Sequence, residues 1–202
     1  PASGSTSTPA PIAPNPGLPP GILAEEEDVT AGALSVNDAY DLKLSRTASG
    51  DYDLLCFMKL QFFFEDGTGG AWTAAEKAKF LKDWETVIKT SWGGRIIKVL
   101  PTSKKKVFLR FAFSIQEGGW MFDHWEISVT KITSGSFRTS YVRPSLGNVT
   151  LDSSDLTPVN KAPGSTQRGA VHEFGHMLGI DDEYLKSSAF VGDTPSIMHS
   201  GE

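Results

Sequence analysis

The sequence predicts an α+β domain in which a long helix and a second, later helix back one twisted, mainly five-stranded sheet. Three observations lead to this class. Runs rich in β-branched and aromatic residues recur between Gly, Ser, Pro and Asp positions. One long helical pattern interrupts these runs early in the chain, and a second helical pattern follows near Ala170.

Composition and charge fit a globular domain and argue against two classes of partner. The chain has 202 residues, 39% hydrophobic and 21% charged, which is enough to bury one sizeable core. The net charge of -5 gives no electrostatic reason to expect nucleic acid or an anionic membrane surface. No apolar run approaches the ~20 residues of a membrane span. We therefore expect neither nucleic acid nor membrane as a partner.

The first residues differ in composition from the rest of the chain. Residues 1–24 contain no charged residue, and 7 of the first 20 are proline. Such a segment buries too little apolar surface to offset the entropy of ordering it. We expect a linker or leader over residues 1–24 and a folded domain over residues 25–202. This segment could be a tether to a neighbouring module or a passive terminus, and both interpretations remain open.

The first predicted strand and helix carry clear signals. The apolar run Tyr52–Phe64 predicts a strand, and its Cys56 is the only cysteine, so a buried thiol and no intrachain disulfide are expected. Thr73 and Glu76 make a capping box that starts the helix, and Gly93 follows its end. Large apolar residues recur inside it at a four-residue step: Phe80, Trp84, Ile88 and Trp92. This stripe indicates packing against the sheet.

The remaining strands follow the long helix. Their predicted ranges are Arg95–Leu100, Lys106–Ile115, His124–Thr133, Thr139–Arg143 and Asn148–Leu151. His124 opens one of these strands, and we interpret it as a structural residue.

The second helix concentrates the chemistry. His172 and His176 are four residues apart, which puts both imidazoles on one helical face, where they can share one metal ion. Glu173 follows the first histidine, so its carboxylate can reach a water at the metal without binding the metal itself. A helical His-Glu-x-x-His motif of this kind is typical of zinc peptidases that use the glutamate as general base.

The residues after the motif supply a third ligand. Gly179 can adopt the left-handed conformation that ends a helix, and the chain can then reverse. Asp182 would return beneath the metal with an anionic oxygen, and Asp181 is its neighbouring competitor. Two histidines, one carboxylate and one open position form a catalytic type of zinc site.

The pattern from His172 to Asp182 resembles the metzincin zinc peptidases, whose usual third ligand is histidine. The aspartate variant is most similar to the snapalysin family of small bacterial proteases, which also place a tyrosine where Tyr184 stands. The segment containing Met198 resembles the Met-turn of metzincins, a tight turn beneath the zinc. The specific match covers about residues 170–201, and upstream only the layout of strands and helix is similar.

The resemblance implies a zinc-dependent endopeptidase that acts on protein or peptide substrates. In that family the substrate lies extended along an edge strand, and residues 148–155 are the expected edge here. A small C-terminal subdomain with the Met-turn is also implied. Ser200 stands where some metzincins have a tyrosine, so Tyr184 is the candidate to assist instead. The chain ends at Glu202, so this subdomain is expected to be truncated or minimal.

Other interpretations of the function and of the third ligand remain open. The chain could be a catalytically silent, zinc-stabilised module that binds a protein partner, although an intact Glu173 favours catalysis. A gluzincin arrangement would need Glu202 as the third ligand, and the spacing favours Asp182. His199 is expected to line the site without binding the metal. We expect secretion, or delivery into another cell by a bacterial export system, and the oligomeric state stays open.

Overall fold

Regular structure begins close to the predicted start of the domain. The computed structural model describes residues 21–119, 124–136, 138–162, 165–185 and 188–201. Strand β1, Ile22–Glu26, starts ahead of the boundary predicted at Glu25. Most of the predicted linker, residues 1–20, lies outside the described residues, as does Glu202.

Every strand predicted from the sequence overlaps a strand of the structure, with ends that differ by a few residues. The further strands are β2 (Asp41–Arg46), β3 (Tyr52–Glu65), β4 (Ile96–Val99), β5 (Lys106–Glu117), β6 (Trp125–Thr130), β7 (Tyr141–Arg143), β8 (Asn148–Asp152), β9 (Val159–Ala162) and β10 (Ser165–Gln167). The helices are α1 (Ala74–Trp92) and α2 (Gly169–Met177). Strands β1, β2, β9 and β10 were not predicted, because they are short and mix polar with apolar residues.

The main sheet is larger than the five strands predicted. Across the described ranges it has eight strands, β1 to β8, while β9 and β10 form a separate pair. Strand β3 runs through its centre, parallel to β5 on one side. On the other side its first half pairs with β2 and its second half pairs in parallel with β6. The result is a mixed α/β arrangement, compatible with the α+β class predicted from the sequence.

The edge strand near the second helix was assigned wrongly. Strand β8 pairs with β6 on one side and with β7 on the other, so residues 148–152 are interior to the sheet. Strand β7 runs antiparallel to β8 and forms the edge. Sequence order suggested residues 148–155, because they shortly precede α2, but β7 folds back along β8 through the short turn at residues 144–147.

Both helices pack on one face of the sheet and meet each other there. The capping box of α1 is present, with the Glu76 N–H donating to Thr73 Oγ1 at 3.2 Å. Trp84 of α1 packs at 5.1 Å from Phe113 of β5 and at 6.0 Å from Phe174 of α2, measured between ring centroids. At the end of α1, Trp92 Nε1 donates to the Val171 carbonyl at 2.9 Å. These aromatic contacts fix the position of α2 over the sheet.

Cys56 is buried, as expected from the sequence. Burial raises the pKa of its thiol well above the ordinary value, so it is an inert core residue.

In the described part of the chain, neither helix has the length and apolarity that a bilayer crossing requires.

Candidate metal centre

Helix α2 holds two histidines on one face. His172 and His176 lie one turn apart, with ring centroids separated by 5.0 Å. The apolar face of the same helix carries Ala170, Val171 and Phe174, all of them buried. Because that face is fixed in the core, both imidazoles are directed away from it, towards the segment that follows the helix.

A glycine turn ends α2 and returns the chain to the histidines. The N–H of Gly179 donates to the His176 carbonyl at 2.9 Å, and the N–H of Ile180 donates to the Gly175 carbonyl at 3.0 Å. This pair of bonds is a Schellman motif, which requires the left-handed conformation that Gly179 has, with φ of +80°. The chain reverses at this point, and Asp182 lies against both imidazole rings.

The three predicted ligand atoms are spaced as one ion requires. Asp182 Oδ1 lies 3.2 Å from His172 Nε2 and 3.4 Å from His176 Nε2. Two ligands bound to one zinc ion at ~2.0 Å and at the tetrahedral angle are about 3.3 Å apart. The group could therefore hold a metal ion without rearrangement.

The hydrogen bonds of the two rings show which nitrogens are free to bind a cation. His172 Nδ1 lies 3.0 Å from the Ile197 carbonyl, and His176 Nδ1 lies 2.8 Å from the Ile180 carbonyl. A carbonyl oxygen only accepts, so each Nδ1 is assigned the proton and each neutral ring presents an Nε2 lone pair. Gln167 Nε2 also lies 3.2 Å from His172 Nδ1, but it makes its shorter hydrogen bond, 2.8 Å, to the Ile197 carbonyl. Both lone pairs face Asp182 Oδ1, a buried atom that has no hydrogen-bond partner among the described residues. Three electron-rich atoms thus converge where a cation would compensate them.

A second cluster has similar spacing but the opposite ring chemistry. His124 Nε2 lies 3.3 Å from Asp41 Oδ1 and 3.7 Å from Asp28 Oδ1, so these groups are also close enough for an ion. However, the Lys59 N–H donates to His124 Nδ1 at 3.0 Å, which leaves the proton of the neutral ring on Nε2. A protonated nitrogen has no lone pair for a metal. The geometry therefore favours a structural role for His124, whose Nε2 faces the two carboxylates without a hydrogen bond among the described residues.

Glu173 is a buried carboxyl beside the ligands and does not belong to the ligand group. Its exposed fraction is 7%, and it lines the same cavity as His172. Burial, together with the negative charges of Asp155 and Asp182, raises the pKa of Glu173 to about 8. In the metal-free protein Glu173 therefore holds a proton more tightly than an ordinary glutamate does.

Tyr184 and Asp181 have different roles beside Asp182, the predicted third ligand. The Tyr184 hydroxyl donates to Asp182 Oδ2 at 2.8 Å, which leaves Oδ1 directed at the two rings. Burial and this bond raise the pKa of Tyr184 to about 12, so the hydroxyl stays a donor. Asp181 Oδ1 accepts the N–H of Asp182 at 2.8 Å and lies outside the ligand group. Of the two competing aspartates, the structure brings Asp182 to the histidines.

Met198 lies beneath α2, between the turns that carry the two histidines. A Cβ atom added at Gly175 would come within 2.0 Å of Met198 Sδ, so alanine there would force the Met198 side chain out of this contact. The neighbouring Ile197 carbonyl accepts from His172 and also from Gln167 Nε2, at 2.8 Å. The segment around Met198 therefore supports the helix by packing and orients His172 by hydrogen bonding.

A polar cavity of about 420 Å³ opens beside Glu173. Several residues that line it were not singled out from the sequence: Arg138, Ser140, Asp152, Asp155, Lys161 and Gln167. The Ser140 hydroxyl and the Asp152 N–H both donate to Asp155 Oδ2, and burial raises the pKa of Asp155 to about 6. His199 also lines the cavity, outside the ligand group, as expected. No motif marks this wall, because its residues come from separate parts of the chain.

Gly175 is a site residue that the sequence could have revealed. A glycine inside a helix costs ~1 kcal/mol relative to alanine, so its presence implies a packing reason. Here the reason is Met198.

Comparisons of the chain with protein-family models, with curated proteins and with solved structures found no match. Function is therefore inferred from the geometry of the site.

The first prediction separates the two aspartates. Asp182→Ala should weaken zinc binding by more than ~100-fold, because loss of a ligand costs more than loss of a ligand's hydrogen-bond partner, which costs 10–100-fold. Asp181→Ala should bind zinc nearly as tightly as the wild type. Isothermal titration of the metal-free proteins measures both constants. The reverse order would mean that the ligand is Asp181.

Tyr184 should support zinc binding through Asp182. Tyr184→Phe keeps the ring and removes the hydroxyl that holds Oδ2, so we expect zinc affinity to fall by ~10–100-fold. Competition against a chelator of known affinity measures the change. Tyr52→Phe, at an exposed hydroxyl on β3, is the matched control and should leave affinity unchanged. Equal affinities for both variants would rule out the proposed support.

The raised pKa of Glu173 predicts how stability depends on pH in the metal-free protein. The ordinary glutamate value is 4.5 and the folded value is about 8, so the unfolded chain releases this proton first. The contribution of Glu173 to the free energy of unfolding is therefore fully present below pH ~4.5 and is lost as pH rises towards ~8.

Glu173→Gln removes this titration. In chelator, urea denaturation should show the variant close to wild type near pH 4 and more stable than wild type at pH 8. Thr102→Ser, at an exposed residue between β4 and β5 with no titratable group, should differ from wild type by the same amount at every pH. A constant difference for Glu173→Gln as well would contradict the assignment.

Proposed function

We propose that this protein is a zinc-dependent endopeptidase that hydrolyses peptide bonds with Glu173 as the general base. One observation carries the proposal: two imidazole lone pairs and a partnerless buried carboxylate oxygen converge beside a buried glutamate, at the mouth of a cavity. The metzincin-like pattern of the sequence is consistent with this function.

The donor set favours zinc over other common cations. Calcium and magnesium prefer sites made of oxygen atoms alone, whereas two imidazoles and one carboxylate are a standard catalytic zinc set. His172, His176 and Asp182 would hold the ion. They leave a fourth position open, as catalytic zinc sites do and closed structural sites do not.

The residues around the proposed zinc site then have separate roles. Zinc, when bound, supplies a Lewis acid that acidifies a water molecule and polarises the scissile carbonyl. Glu173 takes a proton from the attacking water and passes it to the leaving amine. Its burial excludes bulk water, and Tyr184 keeps the Asp182 carboxylate oriented. The positive charge of the ion would lower the pKa of Glu173 from its value in the metal-free protein.

The edge strand β7 offers a place for the substrate backbone. Its outer side pairs with no other strand in the ranges that the structure describes, so its backbone groups are available to an extended peptide. Arg138, Thr139 and Ser140, just before β7, line the cavity that also contains His172 and Glu173. A peptide added along β7 would therefore run past the metal centre. This replaces the expected role of residues 148–155.

The test is a variant that separates catalysis from metal binding. Glu173→Ala should retain one zinc per chain by mass spectrometry and lose nearly all cleavage of casein or of a peptide library, because it removes the base and no ligand. Glu126→Ala, on β6, is the control and should cleave at the wild-type rate. Wild-type cleavage should stop in chelator and return with zinc.

Two outcomes would contradict the proposal. If Glu173→Ala loses its zinc, the residue is a ligand and its assigned role is wrong. If the zinc-loaded wild type cleaves no bond in the peptide library, the chain is better explained as a zinc-stabilised binding module.

A further inference from the structure

The segment of residues 29–40 runs from β1 to β2 and packs against the turn that carries the third ligand. Two pairs of backbone hydrogen bonds close it on itself, Val29 with Tyr40 and Ala39, and Ala31 with Val36. Ala31, Val36 and Ala39 are buried in the core. Trp125 Nε1 donates to the Ala39 carbonyl at 2.9 Å and ties the segment to β6. We name residues 29–40 the N-terminal strap.

The strap meets the glycine turn backbone against backbone. A Cβ atom added at Gly32 would lie 2.2 Å from the Gly179 oxygen, and one added at Gly179 would lie 2.4 Å from the Ala31 oxygen. The Leu34 N–H donates to the Gly179 carbonyl at 3.2 Å. Backbone atoms cannot give way as the end of a flexible side chain can, so both contact positions require glycine.

This contact falls between the second and third metal ligands in the chain. Gly179 lies midway between His176 and Asp182, and its conformation determines where Asp182 returns. Within α2 and its cap, the turn is held by two backbone hydrogen bonds, from Gly179 and Ile180, and by the bond from His176 Nδ1 to the Ile180 carbonyl. The strap adds a further hydrogen bond and a close backbone contact from outside the helix. Gly32 and Ala33 also line the same hollow as Asp181 and Asp182.

We infer that the N-terminal strap is part of the metal centre, with Gly32 as a positioning residue that acts through Gly179 on Asp182. Metal affinity then depends on Gly32, which lies 140 residues before His172 in the sequence. The inference rests on the metal site of the proposed function and does not require that the protein cleave peptides. Its test therefore measures metal binding and not activity.

The experiment compares two glycines that have the same positive φ. Gly32 and Gly118 both have φ of +60°, so alanine brings the same local strain at either position. A Cβ atom at Gly118 meets nothing within 4 Å, whereas at Gly32 it meets the Gly179 backbone. In the full chain, Gly32→Ala should weaken zinc binding by at least ~10-fold, as is typical when support of a ligand is lost. Gly118→Ala should bind zinc as the wild type does.

Cobalt(II) reports the geometry of the ligands directly. The visible bands of the cobalt-substituted protein should change in position or intensity in Gly32→Ala and match wild type in Gly118→Ala. A role limited to packing would lower the stability of both metal-free variants without changing either spectrum. If Gly32→Ala and Gly118→Ala agree in zinc affinity and in cobalt spectrum, the inference is overturned.

A measurement on the wild type keeps the test decisive if Gly32→Ala does not fold. Removal of zinc by a chelator should accelerate amide hydrogen exchange across the strap, because the strap and the third ligand hold the same turn. The turn between β2 and β3, residues 47–51, has no contact with the site and should exchange at an unchanged rate. Equal exchange in the strap with and without zinc would overturn the inference.

Discussion

The convergence of three lone pairs on one point is the constraint on which the rest of this structure depends. Asp182 Oδ1 lies 3.2 and 3.4 Å from the two imidazole Nε2 atoms, and in the neutral tautomer that the Nδ1 partners favour, neither Nε2 carries a proton. Without a cation this arrangement is repulsive, so the surrounding chain must hold it in place. Each of the three side chains is held by a hydrogen bond on its other polar atom. The Ile197 carbonyl holds His172, the Ile180 carbonyl holds His176 and the Tyr184 hydroxyl holds Asp182. Metal sites use such partners to set the orientation of their ligands.

Much of the site could be predicted from the sequence because its chemistry is local. The four-residue step from His172 to His176 fixes both rings on one helical face, and Gly179 marks the reversal that returns Asp182. These relations depend on helix geometry and on the conformational freedom of glycine, which any sequence displays. The long strands β3 and β5 were visible for a similar reason, since apolar and aromatic residues recur along both of them.

What could not be predicted depends on contacts between distant parts of the chain. The N-terminal strap has no motif, and its two close approaches to Gly179 exist only after the sheet has formed. Strand β8 was placed at the edge because chain order was taken as sheet order, and the hairpin of β7 onto β8 reverses that order. The cavity wall is assembled from Ser140, Asp155 and Lys161 in the same way. Such residues are ordinary polar positions until the topology brings them together.

The second cluster shows that distance alone does not identify a metal site. The contact of 3.3 Å from His124 to Asp41 is as short as those at the proposed centre. What differs is the nearest partner of Nδ1, which is the Lys59 N–H at His124 and the Ile197 carbonyl at His172, where Gln167 Nε2 lies further away at 3.2 Å. A backbone N–H at Nδ1 places the ring proton on Nε2, while a backbone carbonyl there leaves Nε2 free for a cation. The direction of one backbone hydrogen bond thus decides whether a buried histidine and its aspartate form a structural pair or ligands for a metal.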